Sequence, residues 1–291
     1  MELFRALAMF AEPFGEGSAR VAQALELGPL PAESDYTETF LFQLYPYASV
    51  YLGAEGMMGG EARDRVAGFW RALGLTPPAE PDHLSVMLAL YAELAGREEK
   101  QSDADVRERL HHARIAFLWE HLLSWLPIYL HKLGQIAPRF YREWGEVLKA
   151  ALVEELETIA TPPQLPLHLR SAPGLFDPRE HGAEEFLQSL LAPARSGMIL
   201  TRVDLTRGAN SLGLGLRAGE RKFVLRALFS QNPQGVLEWL LGEAMSWQGH
   251  HRQSLEMLGA IAAAWLEKTE KASALLKELE RSAGDMENNF S

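Results

Sequence analysis

Residues 106–133 have the sequence VRERLHHARIAFLWEHLLSWLPIYLHKL. The apolar residues of this stretch recur three and four positions apart, the spacing that places them on one face of an α-helix. This face contains Phe117, Leu118, Leu122, Trp125, Leu126 and Tyr129. A face of this width predicts a long helix packed in the core. Pro127 predicts a kink in it, because proline cannot donate the backbone hydrogen bond of a helix interior.

The same helical spacing continues on both sides of this stretch. Ser102 and Asp105 are placed as a capping box before it, and residues 138–159, which begin with proline, predict a second long helix. Further helices are predicted at residues 2–10, 19–27, 36–44, 61–73, 183–191, 202–212, 220–229, 233–247 and 251–281, and residues 284–291 are expected to fray. Since no alternating apolar run is bounded by hairpin turns, we predict an all-α fold, a helical bundle followed by a second, smaller helical domain.

Residues 161–178, TPPQLPLHLRSAPGLFDP, interrupt the helical pattern because they are rich in proline. We therefore predict one domain over residues 1–164, a linker over residues 165–182 and a helical domain over residues 183–291. The net charge of -11 lies almost entirely in the first part, where residues 1–164 contain 14 Lys and Arg against 24 Asp and Glu, whereas the rest contains 14 against 15. An acidic first domain disfavours nucleic acid and favours basic ligands.

Composition and hydropathy exclude several classes of protein. The absence of cysteine excludes disulfides, thiolate metal sites, iron–sulfur clusters and thiol nucleophiles. The most apolar stretches, residues 86–92 and 258–266, are much shorter than the roughly 20 residues of a membrane-spanning helix. Residues 1–17 lack the basic and long apolar regions of a secretory signal. We therefore expect a cytoplasmic protein that is not integral to the membrane.

The sequence contains no catalytic or metal-binding motif. The histidine pairs 111–112 and 250–251 point to different helix faces, and the chain has no His-Glu-x-x-His spacing. Residues 213–219, GLGLRAG, lack the glycine spacing of a dinucleotide-binding turn. Neither a phosphate-binding loop nor a Gly-x-Ser-x-Gly turn occurs. We therefore expect no catalytic residues, no metal and no cofactor in a protein that is not an enzyme.

Residues 44–94 carry the main candidate for a binding surface. They combine an aromatic loop with proline, a glycine-rich turn bearing two methionines, and an acidic sequence at the start of a helix. Exposed methionine and aromatic side chains beside carboxylates suit an apolar peptide with basic neighbours. The alternative is structural: Glu80 and Asp82 cap the helix, where acidic groups interact favourably with its dipole, and His83 is a helix-start residue.

The motifs of this region resemble those of the TorD/DmsD/NarJ family of redox-enzyme maturation chaperones. The family's aromatic loop is matched by residues 46–51, Pro-Tyr-Ala-Ser-Val-Tyr, with Ala48 where the family usually has a carboxylate. Its acidic signature is matched by residues 80–84, Glu-Pro-Asp-His-Leu. Its His-Leu-x-x-Trp-x-Pro segment is matched by residues 121–127.

These motifs occur in the order and spacing of the family. Phe140 and Tyr141 follow where its next helix begins, and the agreement covers residues 36–156. The resemblance therefore implies a TorD-like helical bundle for the first domain. Residues 165–291 have no counterpart in the compact family members, so their role lies outside the resemblance.

The resemblance also implies a function. Such a chaperone binds the twin-arginine signal peptide, or the apo form, of a molybdopterin-dependent oxidoreductase and holds it for cofactor insertion before export or assembly. The implied partners are the molybdoenzyme precursor with its signal peptide and the proteins that insert the molybdenum cofactor. The residues predicted to form the peptide site are Tyr47, Tyr51, Glu80, Asp82, His83, Trp125 and Pro127.

Two alternatives stay open. The first is a nucleotide-binding hydrolase, since guanine-nucleotide binding has been proposed for some family members, although the missing phosphate loop argues against it. The second is a helical scaffold in which the C-terminal helices drive dimerisation. The sequence leaves the oligomeric state undecided between these interpretations.

Overall fold

The computed structural model describes residues 2–159 and 162–288, with side chains described up to residue 282. Across these residues the chain forms helices and no strand, and an isolated antiparallel bridge joins Tyr47 and His83. The all-α prediction is confirmed. In chain order the first ten helices are α1 (Glu2–Ala8), α2 (Ser18–Ala24), α3 (Glu33–Tyr36), α4 (Ala48–Leu52), α5 (Gly60–Ala72), α6 (Leu84–Lys100), α7 (Ala104–Phe117), α8 (Leu126–Ile136), α9 (Arg139–Thr158) and α10 (Leu167–Ser171).

Eight more helices complete the chain. They are α11 (Pro178–His181), α12 (Ala183–Leu190), α13 (Pro193–Ser196), α14 (Arg202–Ser211), α15 (Arg221–Gln231), α16 (Pro233–Gln253), α17 (Leu255–Leu258) and α18 (Ala260–Asn288). A short 3₁₀ segment, Met9–Ala11, follows α1, and two segments, Thr37–Gln43 and Leu118–Leu123, are π-helical. A π-helix carries more residues per turn than a helix of ordinary period, so it changes which side chains share a face.

The chain divides into two compact units. The first unit consists of residues 1–49 and 58–168, and the second of residues 50–57 and 169–291. A short segment of the aromatic loop region thus belongs, by its contacts, to the second unit. That residues 1–164 and residues 183–291 fold independently, with residues 165–182 as a linker, stays a prediction.

The predicted helix over residues 106–133 is three consecutive pieces: α7, the π segment Leu118–Leu123, and α8. The predicted helix is interrupted at Ser124 and Trp125, directly before Pro127. Pro127 is the second residue of α8, where its missing amide hydrogen costs nothing. The predicted capping box is wrong. The residue that caps α7 is Asp103, whose side chain accepts a hydrogen bond from the Val106 amide at 3.1 Å.

The predicted helix over residues 251–281 is wrong at its start. Helix α16 continues to Gln253, and α18 begins only after Gly259, whose φ of +50° lies in the left-handed region that favours glycine. Helix α18 extends past the predicted end to Asn288. Of the tail that was expected to fray, residues 289–291 lie outside the described residues.

The first unit has a core rich in aromatic side chains. Trp125, Trp144, Tyr91 and Tyr129 are fully buried in it. A buried ionic network also joins three helices: Arg114 of α7 donates hydrogen bonds to Glu98 of α6 and to Glu155 of α9, both at 2.7 Å. The network thus joins the C-terminal part of α6 to α7 and, through Glu155, to α9.

The second unit has its own apolar core. It draws Leu190 from α12, Leu225 from α15, Leu240 from α16 and Leu276 from α18, and all four are fully buried. Helix α14 begins with a capping box in which Thr201 and Asp204 each accept from the other's backbone amide. Each unit therefore contains a hydrophobic interior of its own.

Candidate functional site

Two distant pieces of the sequence meet in the first unit. The Ala48 amide donates to the Asp82 carbonyl at 3.0 Å, and the Leu84 amide donates to the Pro46 carbonyl at 2.8 Å. The Ser49 amide donates to a carboxylate oxygen of Asp82 at 3.1 Å. We call residues 46–49 and 80–85 the loop junction. It joins the two motifs that the sequence analysis treated as parts of one site.

Asp82 is the buried anchor of the loop junction. Its side chain is 1% exposed, and its carboxylate accepts from the backbone at the start of α4, where a negative charge also interacts favourably with the helix dipole. A carboxylate buried in this way holds the loop in position. It does not present a charged surface to a ligand.

His83 caps α6 and is buried beside polar partners. Its Nδ1 lies 2.7 Å from the Ser85 hydroxyl and 3.4 Å from a carboxylate oxygen of Glu12. Burial lowers the pKa of His83, while the neighbouring carboxylates of Glu12, Glu80 and Asp82 act in the opposite direction. At neutral pH the ring is therefore mainly uncharged, and hydrogen bonds hold it in place.

Tyr47 and Glu80 form the exposed edge of the loop junction. The Tyr47 hydroxyl donates to the Glu80 carboxylate at 2.9 Å, and its ring contacts the His83 ring edge-on with 4.8 Å between centroids. Burial and the hydrogen bond to Glu80 raise the pKa of Tyr47, so the phenol stays protonated at neutral pH. Glu80 is exposed to solvent and is oriented by this donor.

Two further residues, which the sequence analysis did not single out, extend this edge. Glu12 is 51% exposed and accepts from the Ser85 hydroxyl at 2.5 Å. Burial and the charges of Glu12 and Glu80 raise the pKa of Tyr36 to about 12. We call Glu12, Tyr36, Tyr47 and Glu80 the acidic rim. Glu12 and Tyr36 lie outside every motif, so only the folded arrangement identifies them.

The other predicted site residues have different surroundings. Trp125 is fully buried, and its indole nitrogen donates to the His121 carbonyl at 2.8 Å. Pro127 is half-buried in the first turn of α8. Tyr51 is buried and belongs to the segment assigned to the second unit. Within the first unit the loop junction thus unites four of the predicted residues: Tyr47, Glu80, Asp82 and His83.

Exposed apolar side chains are also present. Met57 and Met58 are 63% and 58% exposed, as the glycine-rich turn suggested. Leu41 and Phe42 are about half exposed on the π segment that follows Tyr36. The predicted helix over residues 36–44 gave no sign of this exposure, because a pattern of ordinary helical period cannot reveal a π turn.

The arrangement suits binding of a cation beside an apolar group. Two exposed carboxylates, each held by a hydroxyl donor, can accept hydrogen bonds from a guanidinium or ammonium group. In the part of the chain that the structure describes, no group of three acidic or histidine side chains is placed to hold a metal ion. Across the same residues no helix has the length and apolarity needed to cross a membrane.

Comparison with known proteins finds a family that is similar to the part of the chain that contains the loop junction. The family model described as nitrate reductase delta subunit matches residues 7–130, which include both motifs of the loop junction. Residues 7–130, less than half of the chain, are thus similar to the TorD/NarJ-like chaperone family. Among the matched segments, residues 140–141 lie beyond the end of this model, whereas residues 121–127 lie within it.

Chaperone proteins TorD from two bacterial genera are similar in sequence to part of the chain. The chaperone protein TorD of Vibrio vulnificus is 29% identical over 126 residues, which are 40% of this chain and 55% of the relative. The chaperone protein TorD of Photobacterium profundum is 28% identical over 88 residues, 29% of this chain and 41% of the relative. The chain thus spans about half the length of the curated relatives it matches.

Proposed function

We propose that this protein is a redox-enzyme maturation chaperone whose first unit binds the twin-arginine signal peptide, or the apo form, of a molybdopterin-dependent oxidoreductase. It holds this client for cofactor insertion before export or assembly. The observation that carries the proposal is the acidic rim, since its exposed carboxylates are fixed by their own hydrogen bonds. The similarity of residues 7–130 to the TorD/NarJ-like family, and of part of the chain to chaperone proteins TorD, supports the same function.

The acidic rim matches the charged part of such a peptide. Arginine presents planar, forked donors, which carboxylates accept with charge-assisted hydrogen bonds. Glu80 and Glu12 are each held by a hydroxyl donor, so little side-chain freedom is lost when a guanidinium binds. The excess of acidic over basic residues in residues 1–164, 24 against 14, adds long-range attraction for a basic peptide.

Exposed apolar side chains of the same unit suit the apolar part of the peptide. Leu41, Phe42 and Met58 are exposed there. Methionine is flexible and polarizable, so it adapts to peptides of differing sequence. This combination favours a client segment that pairs two arginines with an apolar stretch.

In this proposal some of the predicted site residues contact the peptide, and the others hold the site in shape. Tyr47 and Glu80 contact the peptide, whereas Asp82 and His83 hold the loop junction in shape. Trp125 and Pro127 act through the start of α8, whose Tyr129 hydroxyl donates to the Leu44 carbonyl at 3.4 Å. Buried Tyr51 holds the segment over residues 50–57 in place. The proposal includes a cytoplasmic location, no catalysed reaction, and cofactor-insertion proteins as further partners.

The proposal is tested by calorimetric titration of the full chain with a synthetic twin-arginine leader peptide. We expect binding that weakens as salt rises, because exposed charges are screened. A leader with both arginines replaced by glutamine is expected to bind at least about tenfold more weakly, since two charge-assisted contacts are lost. Equal binding of the two peptides would contradict the proposed role of the acidic rim.

A further inference from the structure

A second polar site of the first unit lies in a cavity of about 310 Å³. Residues of α5, of the π segment Leu118–Leu123 and of the start of α10 line it, among them Arg65, Phe69, Glu120, His121, Leu167 and His168. Two hydrogen bonds hold the chain before α10 against the π segment: Trp119 Nε1 donates to the Gln164 carbonyl at 2.8 Å, and the Leu167 amide donates to Glu120 at 2.9 Å. The walls of the cavity are therefore fixed.

Three residues around this cavity carry a buried nitrogen without a hydrogen-bond partner. The atoms are Arg65 Nε, His121 Nδ1 and His168 Nε2, out of seven buried side-chain nitrogen and oxygen atoms without a partner in the described part of the chain. Buried polar atoms of native proteins nearly always have a partner, and an exception indicates a bound water, an ion or a functional group. Three exceptions at one cavity indicate a common partner.

The charges around the cavity indicate which kind of ligand can bind to these three nitrogens. Burial lowers the pKa of His121 to about 4, and the neighbouring His168 and Arg65 act in the same direction. Burial also lowers the pKa of His168 to about 4, with Arg65 again adding to the effect and Glu61 opposing it. Both rings are therefore neutral at pH 7, and each keeps one N–H to donate.

The positive charge of Arg65 argues against a metal ion. Metal cations need neutral or negative ligands, and the described residues contain no group of three acidic or histidine side chains placed to bind one. Glu120 also faces the cavity, but its carboxylate already accepts from the Leu167 amide. Glu61 is paired with Arg65 through an Nη atom, which leaves Arg65 Nε as a donor.

We propose that this cavity binds a small oxyanion, a carboxylate or a tetrahedral sulfate or phosphate group, through the N–H donors of Arg65, His121 and His168. Arginine and imidazole N–H groups are suited to oxyanions. Phe69, whose ring lies 5.4 Å from the His121 ring, forms an apolar wall of the cavity. This binding site is separate from the acidic rim and requires no peptide.

A bound anion changes the protonation of both histidines. A negative charge beside the two rings favours their charged forms, so it raises both pKa values. Anion binding therefore takes up protons, and affinity increases as the pH is lowered from 7 to 5. Sulfate is the suitable probe for this dependence, because it keeps its charge over the whole range.

The test is a titration of the full chain with sodium sulfate and, separately, sodium acetate, followed by NMR of the histidine Cε1–H groups. Sodium chloride at matched ionic strength is the reference. We expect saturable shifts of the His121 and His168 signals and none of exposed His112. Saturation by sulfate alone identifies a tetrahedral dianion, and saturation by acetate identifies a carboxylate.

Variants at buried and exposed positions test whether the anion binds in this cavity. Arg65→Gln is expected to weaken binding at least tenfold, and His168→Gln to weaken it severalfold, whereas Arg71→Gln, an exposed arginine of the same helix, leaves it unchanged. The Arg65 and Arg71 variants both retain most of the helix contacts of α5, so the comparison does not depend on the buried His121. The absence of saturable shifts in both salts, or equal affinity in Arg65→Gln, would show that the cavity holds only water.

Discussion

The loop junction and the cavity lined by His121 and His168 lie in the same unit, and both contain buried histidines, yet their polar groups are used differently. In the loop junction, Ser85 and Glu12 lie within 3.4 Å of His83 Nδ1. In the cavity, His121 and His168 each retain a buried nitrogen without a partner. In the loop junction the buried polar atoms bind one another, so only the exposed edge can bind a ligand. In the cavity the buried nitrogens lack partners, which indicates that a ligand binds within the cavity.

The largest effect expected from this difference is loss of stability in acid. The pKa of His121 is about 4 in the folded protein and about 6.5 in the unfolded chain, so below pH 6.5 the unfolded state takes up a proton that the native state does not. The free energy of unfolding should thus fall between pH 6.5 and 4, by about 3 kcal/mol from His121. Denaturant titrations at several pH values measure it.

A variant pair isolates this contribution. His121→Gln removes one titrating group and should make the pH dependence shallower, while the contribution of His168 remains. The absolute stability of this variant falls because a buried ring is lost. His112→Gln, at an exposed position of the neighbouring helix, should leave the pH dependence as it is. Identical pH dependences in wild type and His121→Gln would contradict the buried, neutral state of His121.

The sequence predicted the loop junction much better than the cavity. The aromatic loop and the acidic signature are contiguous motifs, so residues 46–51 and 80–84 could be recognised and expected to act together. His121 lay in a recognised segment, but His168 lay in the proline-rich stretch predicted to be a linker. No spacing rule connects residues this far apart, because their meeting depends on tertiary packing.

The prediction of local helix features failed for a different reason. The π segments and the turn before Pro127 cannot be read from apolar spacing, since a period of 3.6 residues describes only the regular helix. The cap of α7 was misplaced by one residue, from Ser102 to Asp103, because both residue types cap helices equally well. The all-α class was predictable because apolar spacing persists along nearly the whole chain.

The next effect in size concerns the buried anchor of the loop junction. Asp82→Ala leaves the Ser49 amide without its acceptor and should lower the free energy of unfolding by about 1–3 kcal/mol. Glu33→Ala removes an exposed carboxylate and should change it by less than about 0.5 kcal/mol. Thermal unfolding of both variants checks the contrast, and equal small effects would mean that Asp82 does not hold the loop.

A smaller effect is expected at the exposed edge. Tyr47→Phe removes the donor that orients Glu80 while keeping the ring contact with His83. One neutral-to-charged hydrogen bond of this kind should change leader-peptide affinity by a factor of about 3 to 10, with little change in stability. Calorimetric titration measures the affinity, and an unchanged value would remove Tyr47 from the peptide site.

The most direct test of the proposed chaperone function is a double-mutant cycle between Glu80 and the paired arginines of the leader peptide. Binding of the twin-arginine and twin-glutamine peptides is measured with the wild-type chain, with Glu80→Gln and with the control Glu33→Gln. We predict a coupling of about 1 kcal/mol or more for Glu80 and none for Glu33, because Glu80 belongs to the acidic rim and Glu33 does not. Additive effects of Glu80→Gln and the arginine replacement would contradict recognition of the signal peptide by this surface.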